Sequence, residues 1–580
     1  MTFPELVNSF FANTLDLSIP VFMPEIVLSG TIVLMLLVRI FQREPRFDVA
    51  WLALIGSAVA LYYACPLFGA PDLKQFMQDH PTAETFTGLL IHDGISAHFR
   101  TLLLVFLVLF IIFTKLSGIP DRIDAPDFFT LVLGGVVGMC LMVASNHLFM
   151  MFLGIEMASL PSYVLSGHLK GRRKSSEAAI KYAVFGAGTA GVMLYGISLI
   201  AGATGSLHLP TIATQLSTML GDGTLVGGRL AAVILGGLML SVGIAFKLSA
   251  VPFHFWCPDV FEGASAEVNA YLSIASKAAA AAILVRVAFG FSHLPPPVPD
   301  TQPVAAHAVE AADAPKLLLV STAAAKKAPD SNLTLVADGD ANGAEAAKPA
   351  DTLAPVRGFI AGLIGVIAAL TCTFGNLAAY GQTNIKRLMA YSAIGHAGYM
   401  MMPVSAGLVM LADSPTDAKT AVASVAFYAI VYLFMNLMAF SLIAFIRNSI
   451  RSEEIADYAG LIRSCPILVV CFTMTLISLI GLPFFAGFVA KFAVFASLAQ
   501  AGLYGLLVVA GLNTAVSLFY YIRVVKVMCI DPEPESRLPV YVPFLPSMYV
   551  VAVTVPVVVL GLWWNELNEW VQMAANTLVF

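Results

Sequence analysis

Long apolar runs, broken by short polar stretches, constrain this sequence more than any other feature. A helix needs about 20 apolar residues to cross a hydrocarbon core of about 30 Å. Runs of that kind lie at residues 22–41, 48–68, 98–115, 127–145, 147–167, 177–202, 230–256, 264–290, 357–378, 384–404, 420–446, 466–498, 503–525 and 546–564. The fourth and fifth are parted only by Ser145 and Asn146. The pattern predicts an all-α polytopic membrane protein of about fourteen transmembrane helices.

The composition agrees and excludes much else. Charged residues make up 12% of the chain and hydrophobic ones 59%, against about 25% and about 45–50% in soluble domains. A soluble enzyme and a disordered scaffold are excluded. The net charge of −5 offers no basic footprint for nucleic acid. The cysteines (Cys65, Cys140, Cys257, Cys372, Cys465, Cys471 and Cys529) form no C-x-x-C pair, so iron–sulfur clusters and structural zinc are not expected. The chain has no phosphate-loop or dinucleotide fingerprint. Its first twenty residues hold no Lys or Arg, so a cleavable signal peptide is not expected.

Orientation follows from Lys and Arg in short loops. Arg43 and Arg46 follow span 1; Lys170, Arg172, Arg173 and Lys174 follow span 5; Lys386 and Arg387 follow span 9. Arg447 and Arg451 follow span 11, and Arg523 and Lys526 end span 13. Even-numbered loops are poorer in cations, and Ala203–Gly228 has none. The odd loops are therefore placed in the cytoplasm and both termini outside. Residues 294–356, opening on Pro295-Pro296-Pro297, read as a flexible Pro/Ala-rich extracytoplasmic insert.

Two runs contain internal prolines. Residues 466–498 would extend about 50 Å as one helix, and Pro483 interrupts them; Pro252 lies in 230–256. An internal proline removes a backbone hydrogen bond, and broken membrane helices are tolerated where they line a cavity. For either proline alone, a kink with a packing role is the plainer reading. Together they say more: Pro252 lies 125 residues after Asp127, and Pro483 lies 126 after Arg357. This spacing divides the chain into helices 1–3 (1–126), a five-helix repeat (127–293), the insert, a second inverted repeat (357–526) and a C-terminal helix 14 (527–580). Paired broken helices in inverted repeats place an ion path near the midplane.

Charge inside a span costs about 2.5–3.5 kcal/mol at helix centre on insertion scales. Glu156 in span 5, Lys247 before Pro252, Lys277 in span 8 and Lys491 after Pro483 stand out. Burial disfavours the charged form, and a neighbouring opposite charge restores it. A Glu–Lys pair with a variable gap is thus a proton-affinity switch, and two further lysines make a relay. The rival reading is a fixed buried ion pair with Lys491 snorkelling to an interface. His396 serves either packing or proton relay. His254, after the first break, either lines the path or bonds freed carbonyls. Glu177 and Lys181 read mainly as an interfacial i,i+4 pair, with Lys181 a weaker candidate. Asp259 and Glu262 read as solvated, or as a cytoplasmic entry. The run Tyr399-Met400-Met401-Met402 reads as packing rather than a metal site.

Three motifs carry a resemblance. Phe246-Lys247-Leu248-Ser249-Ala250-Val251-Pro252-Phe253-His254, followed by Pro258-Asp259-Val260-Phe261-Glu262-Gly263-Ala264, resembles subunit N of the proton-pumping NADH–quinone oxidoreductase, respiratory complex I. So do Ser175-Ser176-Glu177-Ala178-Ala179-Ile180-Lys181-Tyr182 and Gln382-Thr383-Asn384-Ile385-Lys386-Arg387-Leu388-Met389-Ala390-Tyr391-Ser392. The resemblance implies fourteen helices with two inverted five-helix repeats, and the relay set Glu156, Lys247, Lys277 and Lys491. The related subunit M has Glu at the last position, and subunit L carries a long lateral helix after its last span. The insert departs from the family pattern. The implied function is proton translocation in the membrane arm, beside subunits M, K and J and lipid, in a bacterial inner membrane. NAD, FMN, iron–sulfur clusters and quinone would belong to partner subunits, with no cofactor on this chain. The alternative is an Mrp-type cation/proton antiporter.

Overall fold

The structure, a computed structural model, describes residues 11, 13–41, 48–65, 82–121, 123–295, 351–534, 537 and 540–578. The cations Arg43 and Arg46 and nearly all of the insert lie outside the described residues. Helices α1 (Met23–Phe41) and α2 (Val49–Ala64) lead to a short antiparallel hairpin, β1 (Ala83–Thr85) and β2 (Leu90–His92). Then come α3 (Gly94–Ser117), α4 (Ala125–Ala144), α5 (Leu148–Ser166), α6 (Arg173–Thr204), α7 (Leu209–Gly221), α8 (Gly227–Leu248), α9 (Trp256–Gly263) and α10 (Ala266–Gly290). After the insert follow α11 (Ala354–Ala379), α12 (Ile385–Met410), α13 (Pro415–Ile450), α14 (Pro466–Ile480), α15 (Ala486–Gln500), α16 (Tyr504–Cys529), α17 (Phe544–Leu562) and α18 (Asn565–Asn576).

Twelve helices among the described residues are long and apolar enough to cross a membrane. The expected fourteen arise when α2, of 16 residues, and the pair α14–α15, of 15 residues each, are added. The polytopic all-helical class stands. Helices α10, α12 and α13 are buried around nearly their whole circumference, whereas α1, α6 and α16 expose most of theirs. The core is thus a central group of helices inside a ring whose outer faces are exposed and apolar.

Local chemistry sets the boundaries. Asp93 and Ser96 form a reciprocal capping box at α3: Ser96 N donates to Asp93 Oδ1 at 2.8 Å, and Asp93 N to Ser96 Oγ at 3.0 Å. Asn384 Oδ1 accepts from the amides of Lys386 and Arg387 to start α12. The boundary between spans 4 and 5 is real. Asn146 donates its amide to Leu89 O at 3.0 Å, and Leu209 N donates to Asn146 O at 3.0 Å, which straps the extended link to the hairpin and to the start of α7.

Polar side chains gather into two rims. One joins Lys170 to Asp124, Arg447 to Glu267, Lys386 to Glu453 and Asn448 to Ser117 O. The other joins Glu84, His208 and Asn146, Asp93 with Arg286, and Gly94 N with Thr577 Oγ1. Three readings of the sequence need correction. The stretch Ala203–Gly228 holds the helix α7, and a further short helix, α18, follows span 14. The stretch 257–263 between spans 7 and 8, expected as a cytoplasmic loop, is helical as part of α9, so Asp259 and Glu262 sit on a helix. Span 11 is far longer than 420–446, because α13 runs 36 residues without interruption.

Candidate functional site

The site is built on two interrupted helices. Helix α8 stops where Ser249 takes a left-handed φ of 57°, and α14 stops where Gly481 takes φ of 87°. Pro161, Pro403 and Pro556 all sit inside continuous helices. Proline therefore does not make the break. A left-handed residue ends each first half, and the proline two or three positions later prevents the helix resuming.

The freed backbone groups find partners. Ala250 N donates to Ala245 O at 2.8 Å, Val251 N to Thr371 Oγ1 at 2.9 Å, and Trp256 Nε1 to Phe246 O at 3.1 Å. At the second break Gly481 N donates to Ser478 O at 2.9 Å, and Gly487 N to Ser478 Oγ at 3.0 Å. The last acceptor there, Ile480 O, takes the ammonium of Lys491 at 2.8 Å. A cation on the carbonyl end of a half-helix also suits its dipole.

The three candidate lysines, Lys247, Lys277 and Lys491, are all buried. Lys247 lies in the last turn of α8, with its Nζ 5.6 Å from the ring centroid of Tyr163 and 5.7 Å from that of Tyr182. Tyr182 in turn stacks on Trp256, 4.2 Å between centroids and 8° between planes. Glu156, half-buried one helix away on α5, interacts electrostatically with Lys247. Among the described residues it forms no ion pair within 4 Å, so the Glu–Lys gap stands open. Lys277 on α10 donates to Ala393 O of α12 at 2.8 Å. The Nζ of Lys491 also lies 4.6 Å from the ring centroid of Tyr399.

His396 joins the second half of this set. It is fully enclosed, feels the charges of both Lys277 and Lys491, and bonds two tyrosine hydroxyls. Nδ1 lies 2.6 Å from Tyr428 OH, and Nε2 lies 3.3 Å from Tyr521 OH, which also bonds Ser392. A histidine between two hydroxyls can accept a proton on one nitrogen and release one from the other. The tyrosines escaped a reading that weighed charges alone. Their signal was spacing: Tyr163 follows Glu156 by seven residues and Tyr399 follows His396 by three, intervals that share a helix face.

The weaker candidates separate. His254 lies in the first break, its ring 4.3 Å from that of Phe374, with Nδ1 buried and unbonded. Lys181 lies in the polar rim. It pairs with Glu177 and Asp259, both at 2.7 Å, and Arg387 bridges Asp259 at 2.9 Å and Glu262 at 2.8 Å. Lys174 completes the group on Glu262. Asp259 and Glu262 thus tie α9 to α6 and α12. Partial burial pushes the Glu262 carboxyl up, but Lys174 and Arg387 overcome it and hold it below the usual range. Arg387→Ala is expected to cost about 1 kcal/mol, less at high salt; thermal unfolding at two ionic strengths checks this.

The four charges first singled out are not the whole buried set. Asp93 with Arg286, Glu25 with Arg100, Glu267 with Arg447, and Lys386 with Glu453 are also mostly or wholly enclosed. Glu25, Arg100, Glu267 and Arg286 were visible near the ends of spans 1, 3 and 8. Lys386, taken as a loop cation, is 2% exposed and donates to Ala264 O at 2.7 Å. Hydropathy places such residues at run ends and cannot distinguish water from a buried partner. All seven cysteines are free thiols, and no group of three or more His, Cys, Asp or Glu among the described residues is placed to hold a metal.

The profile of the family described as "NADH:quinone oxidoreductase/Mrp antiporter, TM" matches residues 145–295 and 347–517. An NADH-quinone oxidoreductase subunit N of Anaeromyxobacter sp. is 34% identical over 95% of both chains. A subunit N 2 of Sorangium cellulosum is 33% identical over 98% of this chain and 99% of that one. A chain of respiratory complex I from Thermus thermophilus superposes with a TM-score of 0.67 at 28% identity, covering 94% of this chain and 98% of that one. A chain of the Mrp complex from Dietzia shares the fold alone, with a TM-score of 0.66 at 17% identity over 97% and 96%. Matched along nearly its whole length by relatives of that name, and across both broken helices by the profile, this chain belongs to the subunit N family of NADH–quinone oxidoreductases.

Proposed function

We propose that this chain translocates protons in the membrane arm of a bacterial NADH–quinone oxidoreductase, driven by quinone reduction in other subunits. One observation carries the reading: Lys247, Lys277, His396 and Lys491 are enclosed among the helices, half-buried Glu156 interacts with Lys247, and Lys247 and Lys491 flank the two backbone breaks. NAD, FMN, iron–sulfur clusters and quinone belong to partner chains in this scheme. Subunits M, K and J and lipid are its neighbours. Both termini lie outside the cytoplasmic membrane, and residues 127–293 and 357–526 act as inverted halves, flanked by helices 1–3 and helix 14 and joined by the insert 294–356.

Each ionisable residue has a distinct part. Closure of the Glu156–Lys247 gap holds a proton on Lys247; opening it favours release, because a buried ammonium without a counter-charge is costly. Lys277 takes up the charge and passes it through the Tyr521–His396–Tyr428 chain toward Lys491. Lys491 sits on the exit side or couples to the neighbouring subunit. His254 and Lys181 serve the cytoplasmic approach.

The test uses the assembled complex. Lys247→Met and Glu156→Ala are each expected to lower pumping and coupled quinone reduction by about tenfold or more. Full activity in an intact complex overturns the reading. The family profile also spans Mrp antiporters; sodium-dependent growth rescue by this chain alone, without flavin or iron–sulfur partners, decides for a cation/proton antiporter.

A further inference from the structure

Between α6, α7, α8, α10 and α11 lies a cavity of about 290 Å³. Leu220, Leu230, Ile234, Leu240, Leu284 and Phe359 form much of its wall. Its two hydroxyls are already spent: Thr204 Oγ1 donates to Ile200 O at 2.8 Å, and Ser241 Oγ to Leu238 O at 2.6 Å. Such a space stays dry and takes hydrocarbon, since water needs polar partners. Leu230, Ile234 and Phe359 are exposed on the outer surface of the helix ring, so the cavity opens toward lipid.

The backbone keeps the space open. A Cβ at Gly236 would meet Gly196 O at 2.9 Å, so α6 and α8 touch there through small residues. At Gly237, which lines the cavity, a Cβ would meet nothing within 4 Å. The cavity lies against the same half-helix that carries Lys247, and Ile244, one turn earlier, is part of its wall.

Lining and charge select the occupant. The wall offers almost only hydrocarbon contact and opens toward the lipid side, which suits an acyl chain. Arg229, beside the lining Leu230 in the first turn of α8, rests Nη1 against Met219 Sδ at 3.9 Å. Among the described residues it has no carboxylate partner. We propose that the cavity holds one acyl chain of a membrane glycerophospholipid, with the lipid phosphate paired to Arg229 at the mouth. The lipid then stiffens the half-helix that presents Lys247. This does not depend on the proton relay.

The test uses protein extracted from its own membrane with whatever partner chains it retains, stripped of lipid and titrated with palmitoyl-oleoyl phosphatidylglycerol. Native mass spectrometry counts the lipid retained. Wild type and Gly191→Phe, a substitution on open surface away from the cavity, are expected to hold the lipid, and Gly237→Phe to lose it. Arg229→Ala is expected to bind about fivefold more weakly. Should Gly237→Phe fail to fold, a photoreactive acyl chain on the same lipid is expected to label residues 230–244 of the wild type. Equal retention by wild type and Gly237→Phe overturns the proposal. So does unchanged binding by Arg229→Ala, labelling elsewhere, or recovery of an isoprenoid quinone instead of phospholipid.

Discussion

Arg286→Leu is expected to be the most damaging single substitution outside the proposed relay, at about 3–5 kcal/mol. Arg286 meets both oxygens of Asp93, at 3.1 and 2.9 Å, and donates Nε to Val143 O at 3.2 Å. The Asp93 side chain is 0% exposed and that of Arg286 7%. Leucine leaves the Asp93 carboxylate enclosed with no counter-charge, which costs more than the pair ever contributes. The double variant Asp93→Asn with Arg286→Leu removes the stranded charge and keeps a side-chain acceptor for the amide of Ser96, so it should recover most of the loss. Arg286→Lys should fall between, since an ammonium cannot reproduce the two parallel bonds. Thermal unfolding of the four proteins in one detergent checks the order; a double variant no better than Arg286→Leu contradicts it.

Gly481→Val is expected to be nearly as severe. A left-handed backbone costs an L-residue about 1–2 kcal/mol, and a β-branched one more. A Cβ at Gly481 would also lie 2.8 Å from Lys491 Cδ, an overpacking cost of about 1–3 kcal/mol. The valine would push the ammonium of Lys491 away from Ile480 O and leave that carbonyl bare at the end of α14. Unfolding midpoint and proton pumping should therefore fall together, with Gly481→Ala milder in both. A stable Gly481→Val protein that pumps normally would show that the second break has no part in holding Lys491.

Much of this was legible in the sequence because the bilayer allows few solutions. Runs of about twenty apolar residues can only be spans, and an ionisable residue such as Lys277 within one has few innocent explanations. Less legible was anything that depends on partners distant in the chain. Asp93 and Arg286 are far apart in sequence, and neither announces the other. Pro252 and Pro483 pointed to the right places for an incomplete reason, since Pro161 and Pro403 leave their helices whole; the deciding residues, Ser249 and Gly481, act through a backbone angle that hydropathy does not record. The aromatic surroundings of Lys247 and the tyrosines flanking His396 were hidden for a related reason. They look like ordinary core until the helices are assembled.

One of those surroundings makes the chain its own optical instrument. The indole of Trp256 lies flat on the ring of Tyr182, and that ring faces the ammonium of Lys247. An electric field arising or vanishing at Lys247 therefore acts on a fluorophore one aromatic ring away. The chain contains five tryptophans, and the other four, Trp51, Trp563, Trp564 and Trp570, are remote in sequence from both breaks. With those replaced, the emission colour of Trp256 becomes a native voltmeter for the charge on Lys247, with no dye or label placed in the membrane.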